Sequence, residues 1–571
     1  MPSQLELPAR FVDPPKAEVG TAGLGQRWVG FTLLAIVAVY LWLGCSDYTR
    51  WGPADPANEK YNLLIEGFKS GHLSLIQPAP AELAALPDPY DPEANLRFRL
   101  SPYGLHDVSY FRGHLYLYFS AVPAIIAFLP WEMITDRPLP ERLAVAVFCS
   151  LALILEVYLV EDLRRRCFPK VPVTFQVAAT FALGLASGVP AFLQRAGMWE
   201  VPVACGWFCL VGMLVALWKS YFANGHTSRW LMLAGSAYAL AVASRPSLVL
   251  SGAAFIPSII GRRQSRRSNL ALVIPIMTIG AAAIAYNAAR FGNPWEFGQR
   301  YQMAGDRQDA GGHFRFGYVG YNLWTYFLEF PGLENGRPFV SLDRTAEPVP
   351  SGHAHSEDTF GVLVCLPFLW LGLGVPLASR WRNQSNPHPA VQRFVLSIAA
   401  AAIGPAIVLC AFYGTCLRYE MEFIPALSLL AVVGAYTLDD AHREKPAERR
   451  VFRGLALGLL GVSFGFTVLA SLAKFVEERR EIGRAMLVAG QTEGAKRELQ
   501  RAIAVRPADA QSHDLLGISS LMEKRPTDAT QSFLTASLLA PAERKYRDHL
   551  SFGMNLLKEQ RAQPSGTAGK P

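Results

Sequence analysis

Two acidic residues in a long polar insert have surroundings suited to chemistry on a hydroxyl group. Asp107 follows the stretch Asp88-Pro89-Tyr90-Asp91-Pro92 and precedes an aromatic run, Ser109-Tyr110-Phe111-Arg112-Gly113-His114-Leu115-Tyr116-Leu117-Tyr118-Phe119. A carboxylate held near aromatic rings at an interface can act as a general base, a role that contributes about 10² to 10⁴ in rate. Glu59, in Asn58-Glu59-Lys60-Tyr61, opens a stretch whose Leu63, Leu64, Phe68 and Leu73 suit one face of a helix. Two carboxylates across a cleft can divide the work, one taking the proton and the other orienting a group. The competing reading is structural: Asp107 caps a turn and Glu59 caps a helix. Tyr61 and Tyr110, beside the two acids, are candidate substrate contacts.

Two arginines are the candidates for an anionic substrate group. Arg245, in Ala243-Ser244-Arg245-Pro246, lies between two apolar runs that are each short for a full crossing. A charge at membrane depth costs about 2.5–3.5 kcal/mol on insertion scales, so it normally has a partner or a cavity. With Pro246 breaking the helix, Arg245 sits at the tip of a short hairpin. From there it can hold a lipid phosphate in a bidentate contact, or simply snorkel to water. Arg418, in Cys416-Leu417-Arg418-Tyr419-Glu420, opens a later apolar run and invites the same two readings, with Glu420 or Glu422 as local partners. A second loop carries Phe291-Gly292-Asn293-Pro294-Trp295-Glu296-Phe297-Gly298-Gln299-Arg300-Tyr301, in which Arg300 and Tyr301 are further candidate substrate contacts. Aromatic faces with amides and Arg suit sugars, and they equally suit a lipid interface. His353, His355, Glu357 and Asp358 have no spacing specific to a metal, so they read as loop and no metal site is assigned.

The elements that hold these residues are membrane spans. Of the 571 residues, 51% are hydrophobic and 18% are charged, against about a quarter charged in soluble domains. The net charge of +8 does not indicate nucleic acid, because the basic residues cluster between apolar runs as orientation signals do. Apolar runs fall at roughly 28–45, 115–135, 141–160, 171–189, 201–220, 229–244, 247–260, 269–290, 358–378, 391–413, 417–437 and 452–475. A helix needs about 20 residues to cross. If 115–135 does not cross, Arg164-Arg165-Arg166, Arg262-Arg263 and the basic residues near 380 and 443–450 share one side, which the positive-inside rule requires. Pro123, Pro130 and Glu132 also suit an interfacial or re-entrant segment there. The expected architecture is therefore an all-α polytopic membrane protein with about 11 transmembrane helices and two large outer loops, 46–140 and 291–357. Its N-terminus is cytoplasmic and its C-terminal tail extracytoplasmic. The eight cysteines, none in a CxxC, read as packed thiols. The first apolar run begins too late and runs too long for a cleavable signal peptide.

Residues 1–27 read as a flexible cytoplasmic tail and 28–475 as the membrane domain. In 476–561, Ala495 recurs as Ala529, Pro507 as Pro541 and Leu516 as Leu550, each a step of 34 residues. That is the tetratricopeptide period, so this region reads as a small helical-repeat domain that either caps the membrane domain or docks a protein partner. Residues 562–571 read as disordered. The motifs GxxxxGK[ST] and HExxH are absent. A transporter would place essential charges inside the bundle, where only Glu156 and Arg245 stand out.

Taken in order, these motifs resemble those of the GT-C superfamily of integral-membrane glycosyltransferases. The resemblance is to bacterial members related to protein mannosyltransferases and lipid A sugar transferases. It rests on the Gly71-His72-Leu73-Ser74-Leu75 element, Asp107 before Ser109-Tyr110-Phe111-Arg112-Gly113, and the Ser244-Arg245-Pro246 turn. The Phe291-to-Gly298 loop and the Arg418-to-Pro425 span add to it, and together they cover roughly residues 28–475. The resemblance implies transfer of a sugar from a polyprenyl-phosphate carrier to an acceptor hydroxyl on a lipid, glycan or protein, usually with inversion. It places the activity at the outer face of a bacterial inner membrane, without cofactor or metal and with membrane lipids as surroundings. It implies that Asp107 and Glu59 supply the base and orient the acceptor, and that Arg245 and Arg418 bind the carrier phosphate. The chain departs from the pattern at the first acid, where Asn58-Glu59 stands in place of an Asp-Glu pair, with Asp47 and Asp55 as rivals. The alternative function is a non-enzymatic scaffold or lipid-linked glycan flippase that docks partners through the tail.

Overall fold

A computed structural model of the chain describes residues 21–45, 48–49, 52–53, 55–100, 104–223, 225–260, 265–309, 311–333, 336–342, 348–354, 356–376 and 389–562. Asp47, His355 and the basic residues 262–263, 380 and 382 lie outside the described residues, as do most of the two terminal tails.

Among the described residues, eight helices are long and apolar enough to cross a membrane: Gly25–Gly44, Glu141–Cys167, Val173–Gln194, Glu200–Ser220, Arg266–Phe291, Ala390–Cys410, Ile424–Ala441 and Pro446–Val488. Three further apolar elements fall short of that standard. Thr227–Ser244 has 18 residues but carries Arg229, Ser236 and Tyr238, while Pro246–Ile260 and Pro367–Pro376 are shorter. The protein is thus an all-α polytopic membrane protein. Small residues set its tightest packing, as expected where no hydrophobic effect separates helix from lipid. A side chain at Gly235 would meet the Leu272 carbonyl at 2.2 Å, and one at Gly434 would meet the Leu371 carbonyl at 2.0 Å. The most apolar window of Arg266–Phe291 is only 11% buried by the rest of the protein.

The apolar run 115–135 is two elements rather than one. Its first residues close a hairpin, Val108–Phe111 against His114–Leu117, through Arg112 and Gly113, both at positive φ. That is the turn geometry matching strand twist. The rest forms the helix Ala124–Thr135, whose 12 residues span only about 18 Å, too little to cross. The Gly71-to-Leu75 element lies beyond the end of helix Lys60–Lys69 and ties the insert together, Leu75 N donating to the Leu115 carbonyl at 2.8 Å.

The second loop docks on the first. Asp107 N donates to the Met303 carbonyl at 2.9 Å, and Met303 N donates back to Val108 at 3.0 Å. Ser109 Oγ donates to the Gly298 carbonyl at 2.7 Å. Gly298 has φ +95°, and a side chain there would sit 2.7 Å from Phe291 and 2.9 Å from Ser109 Oγ, so only glycine allows this junction. The loop's far end, Ser356–Glu357, pairs in parallel with Thr415–Cys416.

The chain's last long element, Pro446–Val488, is one unbroken helix of 43 residues, about 65 Å in length. It carries the apolar run 452–475 and continues through the 475/476 boundary without interruption. Four helices follow, Thr492–Val505, Ala510–Met522, Pro526–Leu539 and Arg544–Ala562. Ala495 and Ala529, one 34-residue step apart, are both fully buried, and Gly517 lets Phe533 close onto the second helix.

Candidate active site

A cavity of about 1310 Å³ opens where both loops meet the ends of the bundle. Single-ligand sites span roughly 300–1,000 Å³, so this one has room for two substrates. One part of its wall is apolar: Leu240, Ala243, Ile279, Ala283, Val408 and Leu409, on helices Thr227–Ser244, Arg266–Phe291 and Pro389–Cys410. The other part is polar and includes Asp107, Arg195, Arg245 and Arg418.

Asp107 is held from three sides. Its backbone sits at φ +59°, a region costly for most side chains and tolerated best by Asp and Asn. The Met303 pairing fixes it there. Its Oδ2 accepts a hydrogen bond from Trp199 Nε1 at 2.8 Å, and Trp199 caps the helix Glu200–Ser220. His106 Nε2 lies 3.8 Å from Oδ1. A carboxylate has about four acceptor positions, so Asp107 is oriented while keeping capacity toward the cavity it lines.

The arginines are positioned by carboxylates. Because Glu357 pairs beside Cys416, it reaches Arg418, whose Nη1 donates to Oε2 at 3.1 Å. Its other oxygen accepts from Arg195. Desolvation acts to raise the Glu357 pKa, but the Arg418 and Arg195 guanidiniums outweigh it and hold the carboxyl well below the usual range. Arg195 also lies 3.5 Å from Asp358, which pairs with Lys474 of the long helix. Burial pushes the Asp358 carboxyl up, against the pull of Lys474. Lys474 is 1% exposed and also donates to Glu477 at 2.5 Å. Arg245 donates to Glu422 Oε1 from Nε at 2.8 Å and again from Nη2, and Ser247 Oγ donates to Oε2. The Arg245 and Arg418 guanidiniums both lie 5.4 Å from the Tyr419 ring. Each guanidinium has five N–H donors in a fixed fork, more than these pairs consume.

The structure thus brings Asp107, Arg245 and Arg418 to one cavity and leaves the other sequence candidates off it. Glu59 lies elsewhere: its Oε2 accepts from the backbone N of Glu141 at 2.6 Å, the first residue of helix Glu141–Cys167. It caps a helix 82 positions away rather than its own. Burial pushes its carboxyl up to about 7, opposed by the Glu141 hydrogen bond. Its rival Asp55 caps the turn Pro56–Asn58 through Ala57 N at 3.1 Å. Tyr61 is fully buried and stacks on Phe128 with centroids 5.0 Å apart. Tyr110 is buried, and its carbonyl accepts from Tyr90. Tyr301 packs on Phe111 at 4.5 Å and Tyr90 at 6.0 Å, while Arg300 is exposed outside the cavity wall. Tyr301 thus joins the two loops. Glu422 serves Arg245, not Arg418, and Glu420 accepts from Phe360 N at 3.0 Å. His353 contacts the Asn322 side-chain oxygen at 2.8 Å. Glu156, buried in the bundle, accepts from Trp207 Nε1 at 2.9 Å.

Arg195, Trp199 and Glu357 belong to the site without having stood out as candidates. Arg195 and Trp199 do carry a signal, a charge and an indole in the short polar link Arg195-Ala196-Gly197-Met198-Trp199 between two apolar runs. Glu357 carries none, since its role depends on a strand pairing with residues 58 or more positions on.

No family model matches the chain, and no curated protein matches it. Among solved structures it is similar to ArnT from Cupriavidus metallidurans bound to undecaprenyl phosphate, with 14% sequence identity and a TM-score of 0.41, over 94% of this chain and 89% of that one. A likeness at that level assigns neither family nor activity.

Proposed function

We propose that this protein is a membrane glycosyltransferase of GT-C type, moving a sugar from a polyprenyl-phosphate carrier to an acceptor hydroxyl at the outer face of a bacterial cytoplasmic membrane. The observation that supports this reading is the two-sided cavity, in which apolar helix faces lead to Arg195, Arg245 and Arg418 with an oriented carboxylate beside them. A ligand that fits such walls has a long apolar tail and an anionic head. The arginine forks suit a phosphate, and the position of Asp107 suits a general base. In the step so framed, Asp107 takes the proton of the acceptor hydroxyl and the acceptor oxygen bonds to the anomeric carbon. The bond from that carbon to the phosphate oxygen breaks, and polyprenyl phosphate leaves with its new charge facing Arg245 and Arg418. Arg195 and Glu357 hold Arg418 in place. The tail, residues 476–561, serves in this reading as a tetratricopeptide-like module on the same side of the membrane, with the N-terminus on the other.

The test is mass spectrometry of envelope glycans, glycolipids and proteins from cells lacking this protein, complemented with wild type or Asp107→Asn at equal membrane levels. The expected result is a sugar-sized mass restored by wild type and reduced about 10² to 10⁴-fold in the variant. Equal restoration by both, or no sugar difference in the deletion, overturns the reading.

A further inference from the structure

The cavity has a third wall that the donor reading leaves unused. It is formed by the segment from Gln299 to Gln308 together with Tyr413. The Met303 pairing places this segment directly beside Asp107, and Gln302 bridges Ser109 two residues on. Tyr413 lies within electrostatic reach of Asp107 and Asp306 alike.

The amides of this wall are built in rather than loose. Gln308 is 8% exposed and Gln302 7%. The Oε1 atom of Gln308 accepts from the Tyr413 hydroxyl at 3.2 Å and from Gln299 Nε2 at 3.4 Å, with His313 Nε2 at 3.3 Å. Its Nε2 spends one N–H on the Asp306 carbonyl at 3.1 Å. An amide nitrogen has two N–H donors, so this arrangement fixes where the other one is presented. Phe297 and Phe314, 47% and 59% exposed, add apolar faces to the same cavity.

Charge and backbone geometry narrow what this wall can receive. Where this wall lines the cavity its charged side chain is an acid, Asp306; of the cavity's arginines, Arg195, Arg245 and Arg418 gather around Tyr419 and Glu357, and Arg290 donates to the Leu117 carbonyl and Asn287. Asp306 and Asp107 would repel a phosphorylated or carboxylated acceptor; Arg99, a cation within electrostatic reach of both, is not part of the cavity wall and donates to Asn95 and the Pro92 carbonyl. A peptide bound by strand addition would need a free strand edge, but Val108–Phe111 pairs with His114–Leu117 on one side and bridges to Gln302 on the other. Amides, a phenol, a carboxylate and open aromatic faces suit vicinal hydroxyls and the C–H face of a pyranose ring.

We infer that the wall formed by Gln302, Asp306, Gln308 and Tyr413 is the acceptor subsite and that it takes an uncharged saccharide residue, presenting a ring hydroxyl to Asp107. This rests on the glycosyltransferase reading and adds the acceptor's chemical class. The saccharide belongs either to a polysaccharide or to a glycolipid headgroup.

The test fractionates the envelope of deletion cells complemented with wild type, Asp107→Asn, Gln308→Leu or Asp306→Asn. Lipid-linked saccharide, polysaccharide, protein and simple lipid are separated, and the atom bearing the added sugar is found by linkage analysis. Membrane level and thermal midpoint of each variant are measured alongside. The exposed position of Asp306 makes Asp306→Asn a variant that folds even if Gln308→Leu does not. The expected result is an Asp107-dependent sugar joined to another sugar, with transfer reduced about tenfold in Gln308→Leu, the factor for one lost hydrogen bond, and reduced in Asp306→Asn. The fraction that holds the product identifies the source. An Asp107-dependent sugar on Ser, Thr or glycerol overturns the inference and leaves the transferase reading standing. Undiminished transfer in both wall variants also overturns it. The absence of any Asp107-dependent sugar overturns the transferase reading and the inference with it.

Discussion

Replacing Lys474 by Met should destabilise the protein through a partner that belongs to a different loop. Lys474 is 1% exposed and pairs with Asp358, itself 6% exposed. Removing one member of such a pair leaves the other charge buried and costs about 3–5 kcal/mol. Two features of the structure moderate the loss. Arg195 Nη1 already lies 3.5 Å from Asp358, so a second cation can turn to it, and Glu477 is 24% exposed and can rehydrate. The expected loss is therefore near the low end, about 3 kcal/mol. Arg195 turning toward Asp358 would loosen its hold on Glu357, and through it on Arg418. The assay is a double-mutant cycle on equilibrium unfolding in detergent, with Lys474→Met, Asp358→Asn and the pair. Because the double variant removes both charges, it should recover about 2 kcal/mol relative to the sum of the single variants. Additive losses, within about 0.5 kcal/mol, would refute the idea that these two groups act on each other.

Three further outcomes follow from the structure. Arg418→Lys should raise the donor KM about tenfold while changing kcat less, because an ammonium cannot reproduce a bidentate fork; steady-state kinetics with a polyprenyl-phosphate sugar check it, and an unchanged KM counts against the phosphate role. Glu59, with its carboxyl pushed up to about 7, binds its proton more tightly folded than unfolded. Its contribution is fully present below about pH 4.3 and is lost as pH rises to about 7, at up to about 1.4 kcal/mol per pH unit. Glu59→Gln should flatten that slope in unfolding measurements at several pH values, while leaving transfer far less affected than Asp107→Asn does. Glu357→Gln should weaken stability near pH 7, since its depressed pKa contributes above the unfolded value near 4.3 and is lost only on acidification; a thermal midpoint matching wild type at pH 7 contradicts the strength of the Arg195–Glu357–Arg418 triad.

What the sequence discloses divides along a physical line. Arg245 and Arg418 are legible because a charge beside an apolar run reports its own depth, and the structure puts both on the cavity with Asp107. The tail's helices are legible because Ala495 and Ala529 keep one spacing. Partnerships are not legible. Glu59 caps the helix beginning at Glu141, Glu357 reaches Arg418 through a two-residue bridge, and Gln308 is locked by Tyr413, 105 positions away. None of these leaves a periodicity, because each is decided by how loops close over the bundle. The run 115–135 shows the limit of composition: strand His114–Leu117 and helix Ala124–Thr135 share one apolar stretch, separated by residues 118–123.

The unbroken helix Pro446–Val488 joins the bundle to the tail without a hinge. Near one end Arg449 and Arg453 grip Asp439, midway Lys474 and Glu478 engage Asp358 and Arg142, and beyond them Arg479 and Arg480 meet Glu498 and Asp509 of the tail. An α-helix turns about 100° and climbs about 1.5 Å per residue. One residue inserted between Glu481 and Val488 would therefore swing everything beyond it by more than a quarter turn about the helix axis. Seven inserted residues would restore the bearing to within about 20° while lifting it about 10 Å. Along this rod, compass direction and altitude above the cavity are separately adjustable by counting residues, so an insertion series can report whether the tail's function depends on where it faces or on how high it stands.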